Sequence, residues 1–210
     1  MIRKRTAVIG GGAAGMFAAG KLSHAGVEVT LFERNALLGK KLGITGKGRC
    51  NVTNDCTFPE FMNAITSNGK FLYSAYGRFT SQDTMAFFES IGVPLKTERG
   101  NRVFPVSDKA TDIVLALKKY LLDGKTRIVN ERVMKLSEKG GKISEVITEN
   151  GTYGGFDSVV LCTGGMSYFA TGSTGDGYAL ASALGHKITP LTPALVGIES
   201  EDKLCRDCQG

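Results

Sequence analysis

The 210-residue sequence is short of several things, and each shortage excludes something. No run approaches the roughly 18 consecutive apolar residues that a membrane-spanning helix needs, so no membrane partner is expected. There are only 2 histidines, His24 and His186, too few to build a metal centre together with the cysteines. The 5 cysteines, Cys50, Cys56, Cys162, Cys205 and Cys208, are odd in number and do not read as a disulfide framework in a chain this long, so the expected compartment is a reducing cytoplasm. Proline is scarce at 5 residues while glycine reaches 28. That glycine has no collagen-like period, so it must serve tight turns and close backbone approaches. The net charge of +6 is modest. The basic residues are scattered and no nucleic-acid motif appears, so no nucleic-acid partner is expected.

The first residues, MIRKRTAVIGGGAAGMFAAG, imitate a signal peptide: a basic start, then an apolar stretch. Glycines interrupt that stretch, and it has a fuller explanation. Thr6 to Ile9 is a β-branched run that predicts a buried strand. Gly10-Gly11-Gly12-Ala13-Ala14-Gly15 follows, and Ala13 to Ala25 predicts a helix with Phe17, Leu22 and Ala25 turned inward. Val27 to Phe32 predicts a second strand, ending at Glu33. Strand, glycine turn, helix, strand and acid stand in the order of a dinucleotide-binding fingerprint. Gly10 makes the turn out of the strand. Gly12 lets a diphosphate approach the backbone. Gly15 lets the helix pack close to the sheet. The N–H groups at the helix start, with Ala13 and Ala14, hold the diphosphate with the help of the helix dipole. Glu33 can accept hydrogen bonds from both ribose hydroxyls and would repel a 2′-phosphate, which favours FAD or NAD over NADP.

An NAD dehydrogenase would continue with further βα units. Here Gly43 to Asn54, GITGKGRCNVTN, is too polar and glycine-rich for a helix. It lies in a stretch carrying Lys40, Lys41, Lys47 and Arg49, which suits a long ligand with a diphosphate and an electron-rich ring; a solvated basic loop is the plainer alternative. Ser81 to Ile91 and Ala110 to Leu122 predict helices, the second with Ile113, Val114, Leu117 and Leu121 on one face. Thr126 to Val129, Arg132 to Leu136, Lys142 to Thr148 and Thr152 to Phe156 predict strands, with hairpin turns at Gly140-Gly141 and Asn150-Gly151. Asp157 to Cys162 predicts one more apolar strand, leading into Thr163-Gly164-Gly165. A strand ending in Thr-Gly-Gly far downstream of the glycine turn resembles the second motif of the glutathione-reductase-like FAD fold. The expected class is therefore α/β, a Rossmann fold with a parallel sheet and a β-meander.

The segments GKKLGITGKGRCNVTN and TGGMSYFATGSTGDGYALASALGHKI resemble the signature segments of the BaiN/RdsA-type flavoproteins, also described as aminoacetone-oxidase-family FAD-binding enzymes. With the N-terminal fingerprint, the resemblance spans nearly the whole chain. It implies FAD along Gly10, Gly12, Gly15, Glu33 and Arg34, and contacts nearer the flavin from Lys41, Arg49, Cys50 and Asn51. It further implies that the Val133 backbone meets the adenine and that Thr163 and Gly164 form the second motif. The implied activity is FAD-dependent oxidoreduction of a small-molecule substrate, with NAD(P)H as a transient donor; the absence of a second GxGxxG means no separate nicotinamide domain. Members of that family are about twice this long. Residues 1–190 are therefore expected to form the FAD-binding domain and 191–210 to begin an inserted β-rich, substrate-side domain. A chain that stops there would leave apolar surface open to self-association.

Two rival readings stay open. Cys50 and Cys56 follow the ADP motif where flavin–disulfide reductases carry a redox pair, although five residues separate them instead of four. A non-catalytic nucleotide-binding fragment is the other. Cys205-Arg206-Asp207-Cys208 is a CxxC that reads as incidental. His24 and His186 read as surface or capping residues, and Asp176 either caps the helix expected over Tyr178 to Leu184 or stands near the cofactor.

Overall fold

The structure, a computed structural model, describes residues 4–193. The Cys205–Cys208 motif and most of the expected insertion start lie outside the described residues. Strand β1 (Arg5–Ile9) leads through the glycine turn to helix α1 (Ala13–His24) and strand β2 (Glu28–Phe32). A polar segment with 3₁₀ turns over Leu42–Gly48 follows, broken by extended and left-handed backbone at Thr45, Gly46 and Lys47. Then come β3 (Thr53–Asn54), α2 (Phe58–Ala64), α3 (Tyr73–Tyr76), α4 (Ser81–Ser90), β4 (Leu95–Glu98), β5 (Arg102–Pro105) and α5 (Ala110–Asp123). The chain continues with β6 (Arg127–Val129), β7 (Val133–Lys139), β8 (Lys142–Thr148), β9 (Thr152–Gly154), β10 (Ser158–Leu161) and α6 (Asp176–Ala183).

The central sheet is parallel and four-stranded, in the order β10-β1-β2-β6. Side chains alternate across it, and the two faces build two cores. Val8, Val29 and Leu31 point to one side, where Met16 and Ala19 of α1 meet Ile113, Leu117 and Leu121 of α5. Those three α5 residues repeat every four positions and so form one apolar stripe. Ala7, Ile9 and Phe32 point to the other side and pack with Val133, Leu136 and Val146 of the antiparallel meander β7-β8-β9 and with Leu180 of α6. α1 and α5 lie close: a Cβ on Gly20 would fall 2.4 Å from the Tyr120 ring. His24 joins the same two helices, stacked on Tyr120 at 4.2 Å with Nε2 2.9 Å from the Tyr120 carbonyl oxygen.

Several expectations are corrected. Ala25 is exposed, because the stripe α1 buries is Met16, Ala19, Gly20 and Ser23; Phe17 and Leu22 are half-buried. Asn51 to Asn54 is not wholly a loop, since Thr53 and Asn54 pair with Val103 and Arg102 in a small antiparallel sheet β3-β5-β4. Helices α2 and α3 and strands β4 and β5 were not expected. α6 starts at Asp176 itself, two residues before the expected Tyr178. β7 runs on to Lys139, and β9 stops at Gly154.

Candidate functional site

The carboxyl ends of β1, β2 and β10 and the N-termini of α1 and α6 surround a cavity of about 650 Å³. Open parallel sheets bind ligands at this edge, outside the strand ends. The glycine turn forms its floor. Gly10 has φ +104, and a Cβ there would lie 2.4 Å from the Cys162 carbonyl oxygen. A Cβ on Gly15 would lie 1.7 Å from the Gly10 carbonyl oxygen. These two glycines are demanded by the chain's own packing. Gly12 is different: its φ is −79, and a Cβ there meets nothing within 4 Å. Among the described residues no neighbour asks for glycine at that point, and the space beside it opens into the cavity. No side chain caps α1, and its first turn holds no acid. Its free N–H groups and dipole therefore offer an anion site beside that space.

Glu33 is buried, and its carboxylate grips the turn. Oε2 accepts from the Gly11 N–H at 2.6 Å, and Oε1 accepts from both the backbone N–H and the side-chain amide of Asn35 at 2.7 Å. Three donors leave about one of the roughly four lone-pair positions of the carboxylate for a hydroxyl in the cavity. Asn130 in turn donates to the carbonyl oxygens of Glu33 and Asn35 at 2.7 Å each. Arg34 reaches across to Asp176 at 2.8 Å and Thr174 at 3.1 Å. Arg132 meets the same Asp176 carboxylate at 3.0 and 3.1 Å. Burial pushes the Asp176 carboxyl up, and Arg132, Thr174 and Arg34 more than offset it, so it stays below its ordinary value. On the opposite wall Thr163 packs tightly on α6, where a Cβ on Gly177 would strike its hydroxyl at 2.1 Å. Lys41 donates to the Ser167 carbonyl oxygen at 2.8 Å.

Gly10, Gly12, Ala13, Ala14, Glu33, Arg34, Lys41, Val133, Thr163 and Gly164, expected from the sequence, all line this one cavity. Gly15 sits directly beneath the turn. Cys50 and Asn51 line instead an apolar cavity of about 280 Å³, walled by Phe17, Phe79 and Phe87, which shares Ala13, Ala14 and Leu42 with the larger one. Arg49 lines neither. Its guanidinium is ion-paired to Glu98 and Asp108 and lies 4.1 Å over the Phe104 ring, which turns it onto the small sheet. Arg132, Asn35 and Thr174 were missed. Asp176 was read either as a helix cap or as standing near the cofactor, without its arginine partners; it opens α6 and lines the cavity.

Among the described residues no two cysteines make a redox pair at the large cavity. Cys50, Cys56 and Cys162 are free. The Cys50 thiol is fully buried and pushed up by desolvation, with the Thr45 hydrogen bond opposing it. Cys56 lies against the hydroxyls of Tyr76 and Ser81 at 3.8 and 3.7 Å. Cys162 does line the large cavity, and burial raises its thiol as well; low-pKa thiolates are what redox cysteines need.

Among known proteins the chain is 36% identical over 203 residues to the 3-dehydro-bile acid delta(4,6)-reductase of Clostridium scindens, covering 93% of this chain and 47% of that protein. It is 29% identical over 204 residues to the ribosomal RNA dihydrouridine synthase of Escherichia coli, covering 96% and 50%. The chain thus spans about half the length of these curated relatives. Among solved structures, the Mycobacterium smegmatis Sdh1 complex in the apo form aligns with a TM-score of 0.61 at 20% identity, over 86% of this chain and 39% of that one. L-proline dehydrogenase from P. horikoshii aligns at 0.52 and 16%, over 89% and 57%. These two likenesses carry the fold alone. Residues 4–202 match the HI0933-like protein Rossmann domain, and with the strand order and glycine turn described above, the chain belongs to that family.

Proposed function

We propose that this chain is the FAD-binding part of a flavin-dependent oxidoreductase. The observation that carries the reading is Gly12: an open, side-chain-free floor beside an uncapped helix N-terminus, where the chain's own packing requires no glycine. The α1 N–H groups would hold the diphosphate of the cofactor. Glu33 would take a ribose hydroxyl on its remaining lone pair, and Val133 would flank the adenine. Lys41, Thr163 and Gly164 would line the path towards the flavin ring. Bound there, the flavin would supply hydride or electron transfer between a reduced donor, with NAD(P)H as one such donor, and an organic acceptor or oxygen. The protein's part is to bind, orient and keep water from that ring. The Clostridium scindens relative is by name a reductase, which agrees with this direction of chemistry.

The substrate is read as a small molecule, with no nucleic acid or membrane partner and a cytoplasmic setting. No helix among the described residues is long and apolar enough to cross a membrane. Met166, Tyr168 and Phe169 are each more than half exposed, close to Ser167 where Lys41 anchors, and self-association would cover them. Residues 1–190 are read as the FAD domain. Fluorescence titration of the purified chain with FAD, followed by ADP competition, tests the reading. Saturable binding that ADP displaces is expected; a folded chain that binds neither overturns it. If FAD binds but no donor reduces it, the non-catalytic alternative gains.

A further inference from the structure

We infer that Asp176 is the positioning residue that sets this site against a ribose carrying a 2′-phosphate. The inference rests on the adenine-nucleotide reading above. In a dinucleotide fold the acid at the end of the second strand usually takes the ribose hydroxyl, while a nearby arginine accepts the phosphate in sites that select for it. This chain has both, side by side, as Glu33 and Arg34. Glu33 is already engaged by three N–H donors from Gly11 and Asn35, which spread its charge into the turn. The discrimination therefore depends on whether Arg34 is available to a phosphate.

Arg34 is already engaged through one of its terminal nitrogens. Its Nη1 donates to Asp176 Oδ2 at 2.8 Å and to Thr174 Oγ1 at 3.1 Å. Arg132, entering from the start of the meander, places Nε 3.0 Å from Oδ2 and Nη2 3.1 Å from Oδ1 of the same carboxylate. Thr174 Oγ1 donates to Oδ1 at 2.8 Å and completes the clasp. The Asp176 side chain is 21% exposed and that of Arg34 26%, so their pair is partly shielded from solvent, whereas Arg132 is 43% exposed and its pair is closer to a surface one. Arg34, Asp176 and Arg132 all line the cavity. Within the group Arg34, Arg132, Asp176 and Glu33 the formal charges cancel, and a phosphate finds no net positive charge there. Without the Asp176 carboxylate the same group carries +1, and two guanidinium forks become free for the geometry that phosphate prefers. The other charged lining residues, Lys40, Lys41 and Glu131, are untouched by that change.

The test compares ADP-ribose with 2′-phospho-ADP-ribose by calorimetry on the full chain. These ligands share the diphosphate and differ only at the ribose. The wild-type chain should prefer ADP-ribose. In Asp176→Asn the ratio of the two affinities should move towards the phosphorylated ligand by about tenfold, the scale of one charge-assisted hydrogen bond. A purely structural role would weaken both ligands together and leave the ratio where it was. Adding Arg34→Gln to Asp176→Asn should return the ratio towards wild type. Asp176→Ser, which keeps a hydroxyl at the start of α6, carries the same expectation if the Asn variant does not fold. An unmoved ratio in a folded variant, or a wild-type preference for the phosphorylated ligand, overturns the inference. Wild-type chain that binds neither ligand overturns the nucleotide site itself and this inference with it.

Discussion

Gly12 and Gly15 of one motif have different reasons to be glycine, and substitution should separate them. Gly12→Val adds a side chain that meets no protein atom within 4 Å at its Cβ. The variant should keep its thermal midpoint and lose FAD affinity by at least about tenfold, or about 1.4 kcal/mol. Gly15→Ala forces a Cβ to within 1.7 Å of the Gly10 carbonyl oxygen. It should destabilise the fold itself by about 2 kcal/mol or more in urea titration. A second residue-scale prediction concerns acid. Asp176 is held below its ordinary 3.8, so its ion pairs stabilise the fold above that value and are lost as the pH falls through the lowered one. The thermal midpoint of Asp176→Asn should lie below wild type near neutrality, and the gap should close in strong acid; a gap that persists unchanged at all pH values would contradict the clasp. Gly10, Gly12 and Glu33 could be placed together from the sequence because their spacing is a local consequence of strand, turn and helix, while Arg34 and Thr163, which line the same cavity, came from the family resemblance. Arg49 was misread because a basic residue in a glycine-rich loop looks like a ligand donor until Glu98 and Asp108 are seen beside it. Those partners are far along the chain, and no local pattern announces them.

At the scale of elements, the pieces that were legible are those whose burial follows a simple period. α5 is the plainest. Ile113, Leu117 and Leu121 are buried on one face, while Leu115 and Leu122 stand on the exposed side. Leu117 also lines the small apolar cavity beside α1. Leu117→Ala should cost about 2–4 kcal/mol in a urea titration with little change in slope, since α5 anchors one whole face of the sheet. A cost under about 1 kcal/mol would show that the cavity collapses freely around the truncated side chain. The small β3-β5-β4 sheet was illegible for the opposite reason. β3 is two residues long and exists only through pairing with Val103 and Arg102. α2 left a signal that went unread: Thr57 and Glu60 form a capping box, with the Thr57 N–H donating to Glu60 Oε2 at 2.7 Å. Thr80 and Asp83 form the same device ahead of α4. Of these two helices only α4 was expected.

For the whole molecule, the strand order sets how the protein comes into being. β1 lies inside the sheet, with β2 on one side and β10 on the other. Its ladder to β10 joins Thr6 to Ser158 and Ile9 to Leu161. About 150 residues must be threaded between those partners before the ladder can form, and such non-local pairing is slow compared with a hairpin or helix. On the ribosome, β1 waits for β10. The glycine turn can form early, yet the wall carrying Thr163 and Gly164 arrives only when β10 docks. A dinucleotide that spans both walls therefore has nothing complete to hold until β10 has docked. It should act as a latch on the docked sheet: saturating FAD should slow unfolding by the factor its affinity dictates and leave the refolding rate unchanged, as stopped-flow measurements with and without the cofactor would show.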